Sequence, residues 1–266
     1  MASAATTETE KQGVPKLSAR GIVKSFDGRE ALHGLDFDIM DGEFVSILGP
    51  SGCGKSTTLR ILIGLERPDS GRVLLDGKDI TDLAPSQRHM GIVFQDYALF
   101  ENMTAIENVE YALRFDPEKR DNRMSIARDA LSRLGMEEFA DKPVTGLSGG
   151  QMQRVSIART LALNPQVILF DEPTSGLDAD ARLSFRSLVK DIQSQSGTTI
   201  LLITHDQEEA LSLSDRVMVM GEGRIHQMDD PQTIVRDPAD EYVRDFVTKN
   251  IQAKYDSLAR FAQNGQ

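Results

Sequence analysis

Residues 49–56 read Gly-Pro-Ser-Gly-Cys-Gly-Lys-Ser, a glycine-rich run that ends in a lysine and a hydroxyl side chain. Glycines allow successive backbone N–H groups to turn toward one point, and such a nest binds anions. A helix that starts near Lys55 would aim its positive N-terminus at the same point. Ser56 adds an oxygen ligand of the kind that Mg²⁺ prefers. This spacing therefore predicts a site for nucleotide phosphates.

The run matches G-x-x-x-x-G-K-[ST], the Walker A loop, in which the lysine reaches the β- and γ-phosphates. A chance match is the alternative, but an apolar run precedes this loop and a helical pattern follows it. Cys53 is interpreted as a tolerated small residue, since no histidine lies near it in sequence to activate its thiol. We predict that the nucleotide is bound by Ser51, Gly52, Cys53, Gly54, Lys55, Ser56 and Thr57.

Two adjacent carboxylates, Asp171 and Glu172, follow the apolar run at residues 167–170. An apolar strand that ends in a carboxylate is typical of the Walker B motif, in which Asp171 would hold Mg²⁺. Because side chains alternate along a strand, Glu172 is expected to face another way and to polarise the attacking water as general base. A solvated acidic pair is the alternative, and the phosphate loop in the same chain favours the catalytic interpretation.

Residues 147–151 read Leu-Ser-Gly-Gly-Gln and resemble the signature motif of the ATP-binding cassette (ABC) family. A serine and two glycines at a helix start form a second anion site, although a purely structural helix cap has the same composition. The resemblance implies that this site serves an ATP held by a partner subunit, so that two chains enclose two ATPs. It assigns nucleotide contacts to Ser148, Gly149, Gly150 and Gln151.

Other motifs of the ABC family occur in the family's order over residues 17–248. Gln95 resembles the Q-loop glutamine, which the family uses to sense Mg²⁺ and to couple to the membrane subunit. Asp178 closes a Ser-Gly-Leu-Asp run similar to the D-loop, and His205 resembles the switch histidine that contacts the γ-phosphate. Phe26 takes the place of the adenine-stacking aromatic residue, which is more often tyrosine.

These motifs need a scaffold, and the apolar pattern indicates an α/β fold. Short apolar runs at residues 44–48, 167–170 and 199–203 predict buried parallel strands, and residues 151–163 and 179–194 predict helices. We expect a P-loop NTPase core with a mostly parallel sheet, an N-terminal antiparallel β-subdomain with a turn at residues 27–28, and an inserted helical subdomain.

The predicted organisation is a disordered leader at residues 1–16, a nucleotide-binding domain at 17–248, a helical subdomain with the signature loop at 96–165, and a helical tail at 249–266. The tail carries apolar residues at helical spacing, namely Ile251, Tyr255, Leu258 and Phe261. We interpret it as a short helix that packs on the core or on a second copy.

The composition excludes several classes of protein. The 266 residues include 41 acidic and 30 basic side chains, a net charge of −11 that argues against a nucleic-acid partner. No run approaches the ~20 apolar residues that span a bilayer, and the first dozen residues lack the apolar region of a secretory signal. The single cysteine allows no internal disulfide. We expect a peripheral protein at the cytoplasmic face of the inner membrane.

Residues 93–100, 204–211 and 230–247 resemble the ATPases of bacterial polyamine, iron, sulfate and sugar importers. Two departures are Glu101 and Asn102, where those proteins commonly have a proline, and the lack of residues for their C-terminal regulatory β-domain. The resemblance implies an ATPase that uses ATP and Mg²⁺ and energises solute import with membrane permease subunits and an extracytoplasmic substrate-binding protein. The partner cassette is either a second copy or a related chain, and the homodimer is favoured because no catalytic motif is degenerate.

Three alternatives remain open at this point: the ATPase of an exporter, a soluble ABC ATPase that acts on ribosomes or DNA, and a nucleotide-dependent kinase. The second is disfavoured because the chain has a single cassette, a negative net charge and no heptad run. The signature motif argues against the third. The cargo is not encoded in these motifs, because cassette subunits do not touch it.

Overall fold

The computed structural model describes residues 13–253 and residue 256. Its strands are β1 (Leu17–Phe26), β2 (Arg29–Ile39), β3 (Phe44–Leu48), β4 (Ser70–Leu75), β5 (Lys78–Asp79), β6 (Met90–Val93), β7 (Val167–Asp171), β8 (Thr199–Thr204), β9 (Arg216–Gly221) and β10 (Arg224–Asp229). Its α-helices are α1 (Lys55–Ile63), α2 (Ala105–Leu113), α3 (Arg123–Arg133), α4 (Gly149–Ala162), α5 (Ala179–Ser196), α6 (Gln207–Leu213), α7 (Pro231–Arg236) and α8 (Glu241–Val243), the last continuing as a π-helix over Arg244–Lys249.

A six-stranded sheet in the order β10-β9-β3-β8-β7-β6 forms the centre of the molecule. Its strands pair in parallel except for β10, which is antiparallel at one edge. Every residue of β3 and β8 is buried, as expected for strands covered on both faces. Leu48 pairs with Thr204, and Asp171 pairs with Ile203, so the loops after β3, β7 and β8 leave from the same edge.

A second sheet, antiparallel and in the order β2-β1-β4-β5, contains the N-terminal strands. Phe26 pairs with Arg29 across the predicted turn at residues 27–28, and Leu17 pairs with Ile39 at the far end. Leu32 of this sheet shares a hydrophobic cluster with Ile47 of β3 and with Leu59 of α1. Helix α1 therefore packs between the two sheets, and the predicted α/β fold is confirmed.

Helices α2, α3 and α4 pack on one another and on one end of the central sheet. Val109, Leu131 and Val155 share a buried cluster with Phe170 of β7. The protein thus has helices where the polar stretch after residue 96 predicted them, while the subdomain limits at 96–165 stay a prediction. None of the helices in the described part of the chain is long and apolar enough to cross a membrane.

The two ends of the chain are described only in part. Of the predicted leader, residues 1–12 lie outside the described residues, and residues 13–16 lead into β1. Ile251 of the predicted tail packs against the cluster that contains Val243 and Val247. The other apolar tail positions, Tyr255, Leu258 and Phe261, lie outside the described residues.

Arg88 is a buried charge that holds the C-terminal end of α1. Only 2% of the residue is exposed. Its guanidinium donates to the carbonyl oxygens of Ile61 and Leu62, each at 2.8 Å, and to those of Thr81 at 2.7 Å and Leu83 at 3.0 Å. The last carbonyls of a helix have no partner within the helix, and a cation there also interacts favourably with the helix dipole.

Replacing Arg88 by alanine is expected to lower the free energy of unfolding by about 3 kcal/mol, because four carbonyl groups lose their donor and the bonds to Ile61 and Leu62 are buried. Urea denaturation monitored by circular dichroism measures this change. Arg67→Ala is the matched control: Arg67 forms an exposed ion pair with Asp82 at 2.7 Å, and its loss should change stability by less than about 1 kcal/mol. Equal effects of the two substitutions would contradict the assignment.

Candidate active site

The loop between β3 and α1 requires glycine at two positions. A Cβ atom on Gly49 would lie 2.4 Å from the carbonyl oxygen of Met220 in β9. Gly54 has a φ of 105°, and a Cβ there would lie 2.6 Å from Leu32 of β2. The loop is therefore held between the two sheets at the edge where β3 ends. Ser51 and Gly52 are exposed in it.

Lys55 is the first residue of α1, and its side chain turns back to the loop. The ammonium group donates to the carbonyl oxygens of Gly49 at 2.8 Å and Pro50 at 3.0 Å. It also lies 3.8 Å from a carboxylate oxygen of Glu172, and its side chain is only 4% exposed. A buried cation thus stands beside backbone N–H groups at a helix N-terminus, an arrangement that suits phosphate binding.

Ser56 and Asp171 bring two oxygen ligands together from α1 and β7. The serine hydroxyl donates to the Asp171 carboxylate at 3.1 Å. Burial raises the pKa of Asp171, while the hydrogen bond from Ser56 acts in the opposite direction. A bound cation would favour the ionised carboxylate, and Mg²⁺ commonly takes one or two carboxylates together with substrate phosphates. The residues present fit such a site.

Glu172 lies one residue beyond the end of β7 and has a φ of 45°. The sequence argument for its direction was wrong, since it assumed that the strand continues and its side chains alternate. The left-handed backbone turns the side chain instead, while the Glu172 N–H still donates to Ile203 of β8 at 3.0 Å. Left-handed conformations are uncommon for residues other than glycine and occur often at functional sites.

The Glu172 carboxylate meets the imidazole of His205. Nδ1 of His205 lies 3.1 Å from Oε2 of Glu172, and 57% of the histidine side chain is exposed. His205 directly follows β8, so the parallel pairing of β7 with β8 places the two residues side by side. The arrangement combines a carboxylate, an imidazole and the Lys55 ammonium at one edge of the sheet, which is suited to proton transfer next to a phosphate.

Gln95 and Asp178 lie in the segments that follow β6 and β7. The Gln95 amide donates to the Ser175 hydroxyl at 3.1 Å, which joins the segment after β6 to the segment after Glu172. Asp178 caps α5, accepting a hydrogen bond from the N–H of Ala181 at 2.8 Å. The predicted Q-loop and D-loop residues are therefore neighbours in the fold.

The signature residues lie beside the start of α5, where a Cβ atom on Gly150 would be 3.7 Å from that of Ala181. The Ser148 hydroxyl accepts from the Gln151 N–H at 3.3 Å, and the Ser148 N–H donates to the Gln151 side chain at 2.9 Å, a capping box. Gly149 begins α4, and a Cβ there would lie 3.2 Å from the Tyr97 hydroxyl; Gly150 follows it. Among the described residues, the hydrogen bonds of Ser148 and Gln151 stay within the first turn of α4.

Three further predicted contacts lie in different surroundings. Phe26 ends β1 on the antiparallel sheet, 43% exposed, with the Lys24 ammonium 5.1 Å from its ring centre. Cys53 is buried, and burial raises the pKa of its thiol. Thr57 is half-buried in the first turn of α1.

Glu209 was missed by the sequence argument. It lies on α6 and is 1% exposed, with its carboxylate on the hydroxyl of Thr204. Helical spacing offered a signal, because Glu209 stands four residues before the buried Leu213 and therefore shares its face of the helix. An acidic residue on an apolar face is unusual unless it has a partner.

A family model described as ABC transporter matches residues 32–175, which is more than half of the chain. The matched segment includes the phosphate loop, both carboxylates and the signature motif. The chain belongs to the ABC transporter family. This chain is also similar to the solved structure of cbiO1 from Clostridium perfringens, which is described as part of the ABC transporter complex cbiONQ. The TM-score is 0.77 at 34% identity, and the match covers 85% of this chain and 92% of that one.

A second solved structure similar to the ABC chain is the dimeric ATP-binding cassette MJ0796 in a post-hydrolysis state, bound to ADP and Pi. Its TM-score is 0.73 at 35% identity, and the match covers 81% of this chain and 98% of that one. Both structural likenesses support the fold described above.

Curated relatives of the ABC chain include spermidine/putrescine import ATP-binding proteins named PotA. The protein from Oleidesulfovibrio alaskensis is 47% identical over 228 residues, which are 86% of this chain and 61% of the relative. The protein from Vibrio cholerae is 44% identical over 240 residues, 90% of this chain and 64% of the relative. The ABC chain thus spans less than two thirds of the length of these relatives.

Proposed function

We propose that this chain is the ATP-hydrolysing subunit of an ABC transporter and that it energises solute import across the bacterial inner membrane through a separate permease. The observation that carries the proposal is the meeting of Lys55, Ser56, Asp171, Glu172 and His205 at one edge of the parallel sheet. The import ATP-binding proteins among its relatives support the direction of transport.

In this proposal the loop amides from Ser51 to Thr57 and the Lys55 ammonium bind the ATP phosphates, and Phe26 stacks on adenine. Ser56 and Asp171, with Gln95, hold Mg²⁺, which when bound neutralises charge on the phosphate oxygens. The buried position of Lys55 keeps its charge close to the phosphates with little screening by solvent.

Glu172 acts as the general base toward water, and His205 holds the γ-phosphate. The 3.1 Å contact between the two side chains supports this pairing, because it places base and imidazole within reach of one reacting group. The Glu172 carboxylate lies between the His205 imidazole and the Lys55 ammonium, which supports a defined position for the base.

A second copy of the chain completes each site. Its Ser148, Gly149, Gly150 and Gln151 cap the ATP, since the start of α4 presents backbone N–H groups and the positive end of the helix dipole. Asp178, at the start of α5, lies where the partner approaches. The dimeric cassette among the structural relatives supports this arrangement.

Residues 17–248 form the nucleotide-binding domain in this proposal, with residues 96–165 as its helical subdomain. Dimer closure moves this subdomain, and the region after Gln95 passes the motion to the permease. The bond from Gln95 to Ser175 supports such coupling, because it links that region to the segment after Glu172. An extracytoplasmic binding protein supplies the cargo, and the chain itself lies peripherally at the cytoplasmic face.

The test is a pull-down from membranes with the Glu172→Gln protein held in ATP, followed by mass spectrometry. We expect permease subunits together with a substrate-binding protein, and polyamines are the first cargo to test because of the relatives' names. The control is the Lys55→Ala/Glu172→Gln protein, which should lose any ATP-dependent recovery. Ribosomal or DNA-repair proteins without a membrane partner would refute the transport proposal while leaving the ATPase site intact.

A further inference from the structure

The buried carboxyl group of Glu209 contacts Thr204, the residue immediately before His205. Thr204 ends β8, and its hydroxyl donates to Oε2 of Glu209 at 2.5 Å. Glu209 is 1% exposed and Thr204 is 2% exposed, so water does not replace this bond. The contact links the first turns of α6 to the end of a central strand.

The same hydroxyl also fixes the residue after His205. The Asp206 N–H donates to the Thr204 hydroxyl at 3.0 Å, and the Asp206 carboxylate accepts from the N–H of Glu209 at 3.1 Å. Thr204, Asp206 and Glu209 therefore form a closed ring of hydrogen bonds around His205. The imidazole itself is 57% exposed, and its hydrogen-bond partner among the described residues is Glu172, so the position of this backbone decides whether that contact can form.

A carboxyl group at this place is unfavourable for packing alone. Burial raises the pKa of Glu209, and the hydroxyls of Thr204 and Thr174 act in the opposite direction by stabilising the ionised form. Thr174 is itself buried and lies two residues after Glu172. Apolar side chains fill such positions without the desolvation penalty of a carboxyl group, which points to a role beyond filling space.

We propose that Glu209 is a positioning residue, which holds the turn at residues 204–206 so that the His205 imidazole meets Glu172. The inference rests on the proposed function, in which this imidazole contacts the γ-phosphate. Glu209 touches neither Glu172 nor the reacting groups through any hydrogen bond among the described residues, and acts through Thr204 and the backbone.

Steady-state ATP hydrolysis of the full chain separates this role from a purely structural one. Glu209→Ala should lower kcat by about tenfold to a hundredfold, since a small misplacement of a catalytic group has effects of that size. The KM for ATP should stay within about threefold, because the phosphate loop is untouched. Glu209→Gln keeps an acceptor oxygen for Thr204 and should restore kcat to within about threefold of the wild type.

The matched control is Glu208→Ala, which removes the same charge from the neighbouring residue of α6. Glu208 has a 71% exposed side chain that bonds to Arg186 at 2.8 Å, and its loss should leave kcat unchanged. Thr204→Val removes the hydroxyl with little change of shape and should reproduce the loss seen in Glu209→Ala. The double variant should lose no more than Thr204→Val alone, because the bond between Thr204 and Glu209 is already absent there.

Proton–carbon NMR of the histidine rings tests the inference without relying on ATP turnover. The chain has four histidines, and His205→Ala identifies the His205 signal. That signal should move in Glu209→Ala and stay in place in Glu209→Gln and Glu208→Ala. If Glu209→Ala does not fold, as judged by circular dichroism, Thr204→Val takes its place in both measurements. An unmoved His205 signal or an unchanged kcat in Glu209→Ala overturns the inference. A wild-type chain that hydrolyses no ATP refutes the proposed function instead. In that case the NMR result alone decides the inference.

Discussion

The Glu172→Gln protein is expected to bind ATP as the wild type does and to hydrolyse it at least about a hundredfold more slowly. Glutamine fills the same space and can still meet Nδ1 of His205, 3.1 Å away in the wild type. It removes the basic oxygen that would accept the proton of the attacking water. ATP binding should persist, because Lys55 and the loop amides are unchanged.

Phosphate release measured over time gives the turnover of Glu172→Gln, and equilibrium binding of a fluorescent ATP analogue gives its affinity. Glu222→Gln is a matched control, since Glu222 is also a glutamate in a left-handed conformation, with a φ of 46°, and is exposed. Turnover close to that of the wild type in Glu172→Gln would refute the assignment of Glu172 as general base. A similar loss in Glu222→Gln would indicate a general effect of glutamine at such turns.

Lys55→Ala is expected to weaken ATP binding by about a hundredfold or more, the reverse pattern to Glu172→Gln. The ammonium is buried against the loop carbonyls and would give charge-assisted hydrogen bonds to phosphates, each contributing about 1.5–3 kcal/mol. Its loss also leaves the Glu172 carboxylate, 3.8 Å away, without its neighbouring cation, so phosphate repulsion increases.

Isothermal titration with ATP and Mg²⁺ measures the affinity of Lys55→Ala. Lys249→Ala is the control, because Lys249 forms an exposed ion pair with Asp245 and lies in the C-terminal π-helix. Wild-type affinity in Lys55→Ala would remove the basis for placing the phosphates at this loop. A loss of turnover with normal binding would instead make Lys55 a residue of the chemical step.

Local chemistry explains why much of the site could be predicted from the sequence. The phosphate loop at 49–56 carries its function in adjacent residues, and the apolar runs before the loop and before Asp171 fix the strands on which both depend. Parallel pairing then brings these strands to one edge, so Ser56 and Asp171 meet although 115 residues separate them.

The remaining features depend on backbone conformation and tertiary contacts that no local pattern encodes. Glu172 was placed on a continuing strand, whereas its left-handed φ ends the strand one residue earlier. The bond between Gln95 and Ser175 joins residues 80 positions apart, and the carbonyl groups held by Arg88 come from two separate segments. The contact of Glu209 with Thr204 requires α6 to fold back on β8.

Helix α1 is held by polar contacts at both of its ends. The phosphate loop holds one end, and the guanidinium of Arg88 holds the carbonyls at the other. Nine residues give it a length of about 13 Å. A displacement of the phosphate loop should therefore move α1 as a whole, together with the segment around Thr81 and Leu83, because neither end of the helix is free to unwind.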